Sequence, residues 1–119
     1  MRILCYSLLA LLAACDTGDQ ARSPVPGGDV GRGKLLLAQY QCGSCHQIPD
    51  VAAARGTLGP ALESYGRRSY IAGQIPNHPD ALARWIVDPA SMKPGTAMPA
   101  MGASEADARD MAAYLYALP

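Results

Sequence analysis

Phenylalanine is absent from this chain and tryptophan occurs once, so aromatic volume for a core is scarce. At 119 residues one domain is expected, and a small domain without large aromatics needs its interior filled from another source. Charge of one sign is also missing, since 10 Lys and Arg balance 10 Asp and Glu. The cations Arg32, Lys34, Arg55, Arg67, Arg68, Arg84, Lys93 and Arg109 are scattered with no basic run, which excludes nucleic acid as a natural partner. Cysteine is confined to Cys5, Cys15, Cys42 and Cys45, too few for a disulfide framework. Strand signals are lacking as well, and with them the β-α-β frame that a redox dithiol would need.

One apolar run is present. Arg2 precedes an almost continuous apolar stretch from Ile3 to Ala14, which ends Leu12-Ala13-Ala14-Cys15. Its core is too short for a membrane-spanning helix and reads as a secretory leader. Leu-Ala-Ala-Cys resembles the bacterial lipobox. Residues 1–14 are therefore expected to be removed, leaving Cys15 lipidated on the periplasmic face of a bacterial membrane. Residues 15–28 are rich in Asp, Gly, Ser and Pro and are expected to form a flexible tether. The folded domain is expected over residues 29–119.

Three helical patterns occupy that domain. The first is expected over 29–41, with Leu35, Leu36, Leu37 and Tyr40 on its apolar side. The second is expected over 79–87, begun by Pro79 and stopped by Pro89, with Leu82, Trp85 and Ile86 on one face. The third is expected over 105–118, capped by Ser104, with Ala108, Met111, Ala112, Leu115 and Leu118 as its buried stripe. Between them run Gly- and Pro-rich loops. Loops of this length do not suit a compact domain unless something packs beneath them.

Cys42-Gly43-Ser44-Cys45-His46 supplies that something. A C-x-x-C-H run is a c-type haem attachment signature: two thiols on one turn bond one haem, and the adjacent imidazole is delivered to its iron. With Cys5 removed and Cys15 lipidated, no thiols are left to complete a four-ligand zinc site. A covalent haem also answers the shortage of core volume.

Three landmarks in order, Cys42 to His46, then Gly59-Pro60-Ala61-Leu62, then Lys93-Pro94-Gly95-Thr96-Ala97-Met98-Pro99, resemble those of class I c-type cytochromes. The segment Pro76 to Pro89 is most similar to the cytochrome domain fused to subunit II of some bacterial haem-copper oxidases. The resemblance implies an all-α cytochrome c fold, three main helices and long loops wrapped around one covalent haem c. It implies His46 and Met98 as axial iron ligands, with Met101, three residues on, as the competing sulfur. It further implies that the Pro60 carbonyl accepts from His46 Nδ1, that Leu62 packs on the haem, and that Trp85 and Arg84 stand near the propionates. Arg67, Arg68, Ser69 and Tyr70 also fall where propionate contacts occur in the family. The expected function is one-electron transfer by a membrane-tethered carrier, with no small-molecule substrate at iron. Its expected redox partners are a quinol-oxidising complex and a terminal oxidase or reductase. One departure stands out: Gly33 lies one residue farther from Cys42 than is usual, which is expected to loosen the helix end before the motif.

Overall fold

The structure, a computed structural model, describes residues 23–119. The expected leader and Cys15 lie outside the described residues. Within them, α1 (Val30–Gln39), α2 (Pro79–Val87), α3 (Pro89–Met92) and α4 (Glu105–Ala117) are joined by long loops. Those loops carry 3₁₀ turns at Cys42–Ser44 and Tyr65–Arg67 and a short antiparallel hairpin, β1 (Tyr70–Ile71) with β2 (Ile75–Pro76). The hairpin and α3 are elements that the sequence patterns did not announce. Two-residue strands are too short to carry an alternating signal.

Helices α1 and α4 begin where a donor-satisfying residue stands. The Asp29 side chain accepts from the Arg32 N–H at 2.9 Å, and Ser104 accepts from the Asp107 N–H at 3.1 Å, each satisfying an otherwise orphaned amide. Pro79 occupies the first turn of α2, where a missing N–H costs nothing. Pro89 ends α2 as expected but also starts α3, whose cap Asp88 accepts from the Ser91 N–H at 3.3 Å.

α4 is buried at Ala108 and at every position from Asp110 to Leu115. A helix buried on adjacent positions is covered on more than one side, and α1 and α2 both pack against it. Against α1 the approach is backbone to backbone. A Cβ built on Gly33 would lie 1.9 Å from the Asp110 carbonyl oxygen, so only glycine fits the crossing.

An ion-pair cluster pins the same crossing. Arg32 pairs with Asp107 at 2.6 Å and also with Asp110. Asp110, 7% exposed, accepts the Asp29 N–H at 2.8 Å as well, and the Tyr40 hydroxyl donates to Asp107 at 2.6 Å. Buried carboxylates need such partners.

Three expectations are corrected. Leu35 is 71% exposed rather than part of the apolar side, while Leu36 and Leu37 are buried. Helix α1 stops at Gln39 because Gln41 takes a left-handed conformation (φ 61°), which absorbs the extra residue before Cys42. The tether does not extend to residue 28: Val25 is 2% exposed within the core, and the Gly28 N–H donates to its carbonyl at 2.9 Å. A single valine between prolines carries no periodic signal, so its burial was not legible.

Candidate functional site

The turn after Gln41 gathers the chemistry. The Cys45 and His46 amides both donate to the Cys42 carbonyl, at 3.3 and 3.1 Å, which curls the motif so that both thiols and the imidazole leave one turn. Both thiols are free and partly buried. Burial pushes the Cys42 thiol above its ordinary range, the opposite of what an attacking redox thiolate requires.

His46 is held from two sides. Its Nδ1 lies 2.6 Å from the Pro60 carbonyl oxygen, which can only accept, so Nδ1 carries a proton and the neutral tautomer with its lone pair on Nε2 is the one selected. The Gly59 N–H donates to the Cys45 carbonyl at 2.7 Å. A Cβ on Gly59 would fall 2.4 Å from His46 Cε1, so the loop can cradle the ring only with glycine there. An imidazole with Nδ1 bound to a carbonyl and Nε2 unprotonated is oriented to ligate a metal.

Further round the fold, Leu62 is buried, and its N–H donates to the Gln47 carbonyl at 2.8 Å, tying the Pro60 loop to the motif. Trp85 is buried on α2 and Arg84 is exposed beside it. Arg68, grouped in sequence with the propionate candidates, donates instead to the Ala61 carbonyl and stacks over the Tyr65 ring at 5.0 Å. Arg67, Ser69 and Tyr70 are exposed. Met98 is half-buried against the core, and Met101 is 45% exposed. His78 precedes α2 without a side-chain capping bond.

Sequence reasoning missed Asn77. Its side-chain amide donates to the Tyr65 and Arg68 carbonyls, both at 3.0 Å, and its Oδ1 accepts the Tyr116 hydroxyl at 2.5 Å. One residue thus ties the Tyr65 turn and the hairpin to α4. An Asn placed just ahead of a helix-starting proline was the available signal, and it reads equally as a turn residue.

A free thiol pair, a tautomer-fixed imidazole on the same turn, and loops too long for their own packing together define a c-type haem protein. Among the described residues no three His, Cys, Asp or Glu side chains gather as metal ligands, so the donor set fits haem rather than a closed zinc site. The chain belongs to the cytochrome c family, whose profile matches residues 30–119. Its group is haem c, covalently attached, and its chemistry is haem-based electron transfer.

Among relatives, cytochrome c oxidase subunit 2 of Alkalihalophilus pseudofirmus is 36% identical over 90 residues, 75% of this chain and 25% of that protein. The same subunit of Bacillus subtilis is 30% identical over 87 residues, 71% of this chain and 24% of that protein. The chain thus spans about a quarter of the length of these relatives. In fold it is similar to cytochrome c2 of Rhodobacter sphaeroides, with a TM-score of 0.60, 22% identity, and coverage of 74% of this chain and 94% of that one. SoxXA of P. pantotrophus gives 0.55 and 23%, covering 76% and 81%.

Proposed function

We propose that this protein is a membrane-tethered one-electron carrier with His46 and Met98 as the axial ligands of its haem. When bound, the haem would supply the reversible one-electron couple, and a thioether ligand from Met98 beside the His46 imidazole would raise its potential. The chain's own residues hold the imidazole tautomer, seal the pocket and limit reorganisation. With His46 and Met98 both holding the iron, no small molecule would react there. Leu62 would pack on the haem, and Trp85 and Arg84 would serve its propionates. Lipid on Cys15 restrains the domain to the periplasmic face of the membrane. There it passes electrons from a quinol-oxidising complex to a terminal oxidase or reductase.

The observation that carries the ligand assignment is the contrast among methionines. Met98 is half-buried against the core on a loop stiffened by Pro94 and Pro99. Met101 is 45% exposed and Met111 is fully buried inside α4, while Met92, half-buried like Met98, is held in the last turn of α3 and not on a loop. The test is an optical spectrum of the holoprotein, oxidised and reduced, with and without carbon monoxide. A low-spin spectrum indifferent to carbon monoxide, with a weak far-red sulfur-to-iron band lost in Met98→Ala, supports the reading. A high-spin haem that binds carbon monoxide readily overturns it in favour of an enzyme or sensor.

The resemblance to oxidase subunits favours a second reading, in which the domain stays bound to one haem-copper oxidase. Recovery of an oxidase in fixed stoichiometry with the tagged chain from detergent-solubilised membranes distinguishes this from a free carrier.

A further inference from the structure

The loop that bears Met98 is anchored at its entry to a distant element. Lys93 caps the end of α3, and its ammonium donates to the Ala72 carbonyl at 2.9 Å. Ala72 and Gly73 turn the β1–β2 hairpin, and both have positive φ, 50° and 79°. That conformation is uncommon for alanine. Ala72 is nonetheless half-buried against the core, so its carbonyl is a fixed acceptor.

From Lys93 a chain of bonds continues to the ligand loop. The Thr96 N–H donates to the Lys93 carbonyl at 3.1 Å, closing a turn with Pro94 and Gly95 (φ 83°) at its centre. Thr96 Oγ1 then accepts the Met98 N–H at 3.3 Å. Among the described residues, none from 94 to 102 hydrogen-bonds to another part of the fold. The turn is stiff within itself; besides the packing of Met98 against the core, the ammonium–carbonyl contact is what ties its entry to a distant element. A charged donor to a partly buried carbonyl is stronger than a neutral pair.

We infer that Lys93 is a positioning residue for the Met98 sulfur: its ammonium clamps the ligand loop to the Ala72 carbonyl and sets how readily Met98 yields its place. The inference rests on Met98 being the axial ligand. It is distinct from the imidazole side, where Pro60 and Gly59 hold His46.

The test compares wild type, Lys93→Met and Lys93→Arg as ferric holoproteins at neutral pH. Three quantities are read: the far-red band, the dissociation constant for added imidazole, and the urea unfolding midpoint. Losing one charged hydrogen bond at the loop entry is expected to tighten imidazole binding about ten-fold in Lys93→Met. The band persists there, and the urea midpoint falls only by what the same bond contributes, since the unfolded chain lacks it too. In Lys93→Arg, which keeps a donor, imidazole binding stays within about three-fold of wild type. Unchanged imidazole affinity in Lys93→Met, with the far-red band present, overturns the clamp and leaves the ligand assignment standing. A loss of global stability much larger than the gain in imidazole binding also overturns it, because the residue would then hold the whole fold and not the loop. Absence of the band from wild type overturns the ligand assignment and the clamp together.

Discussion

Gly33→Ala tests the crossing of α1 and α4. The added Cβ would sit 1.9 Å from the Asp110 carbonyl oxygen and 3.1 Å from the Met111 amide nitrogen. The first distance falls about 1.5 Å short of an ordinary 3.4 Å contact, so one helix backbone must move by about that much. Overpacking of this kind costs about 1–3 kcal/mol. The movement also loosens the bond that the Asp29 amide makes to Asp110, about 1 kcal/mol net, and with it the Arg32–Asp110 pair. Alanine gives back about 1 kcal/mol of helix propensity. The net expectation is a loss of about 1–3 kcal/mol, or roughly 4–24 °C in Tm for a domain of this size. Gly31→Ala is the internal control: its Cβ meets only the Asp29 carboxylate, at 3.6 Å. The same propensity should therefore stabilise that variant by about 0.5–1 kcal/mol. Urea unfolding of both holoproteins, followed by far-UV circular dichroism, reads the difference. If Gly33→Ala falls within about 0.5 kcal/mol of wild type, or if both variants lose stability alike, the backbone contact does not set the crossing.

Two further predictions concern titrating groups on α4. The Tyr40 hydroxyl, and after it the Arg32 guanidinium, hold the Asp107 carboxyl below the usual carboxylate range. Its contribution is thus fully present above about pH 4 and is lost as pH falls through the lowered folded value. Asp107→Asn should lower the neutral-pH unfolding midpoint and flatten the acid limb of the stability curve; an unchanged acid limb would show that the pairing contributes nothing. Burial, with Tyr65 nearby, pushes Tyr116 up to about 12. The sign is opposite: stability is intact below about pH 10 and declines as pH rises toward 12. Tyr116→Phe should flatten that alkaline decline. At pH 7 it should cost about 1–2 kcal/mol, because Asn77 Oδ1 loses its donor; a cost of zero would mean that water replaces the hydroxyl.

What could be read from the sequence was local. Pro79 marks a helix start by lacking an N–H that the first turn does not need, and Ser104 does so by a bond within one turn; the helices begin there. The C-x-x-C-H motif is likewise a single turn, and its curl follows from two amides sharing the Cys42 carbonyl. The bond from His46 to Pro60 spans a loop, and family resemblance rather than spacing supplied it. Other features were illegible because both partners must be known at once. Asp107 reads as an ordinary first-turn acid until Arg32 and Tyr40 are brought beside it. Asp110 interrupts the apolar stripe and is nonetheless buried, because Arg32 and the Asp29 amide satisfy it. Lys93 reads as a solvated charge, and nothing local to it points to a carbonyl in a hairpin.

The pairing of Asp29 and Arg32 with Asp107 and Asp110 joins the opening of the domain to its closing helix. Val25 and Gly28 extend that seam: Val25 is buried, and a Cβ on Gly28 would touch Ala113. A unit whose first packed residues lie along its last helix is closed upon itself, and chain can be joined at either end without cutting through its interior. Such a unit is portable. It can be appended to a larger polypeptide or hung on a short leash while its core stays the same, which accords with a match covering only about a quarter of each oxidase subunit. Fusion to a foreign partner through a flexible linker at either end should therefore leave its spectrum and stability unaltered.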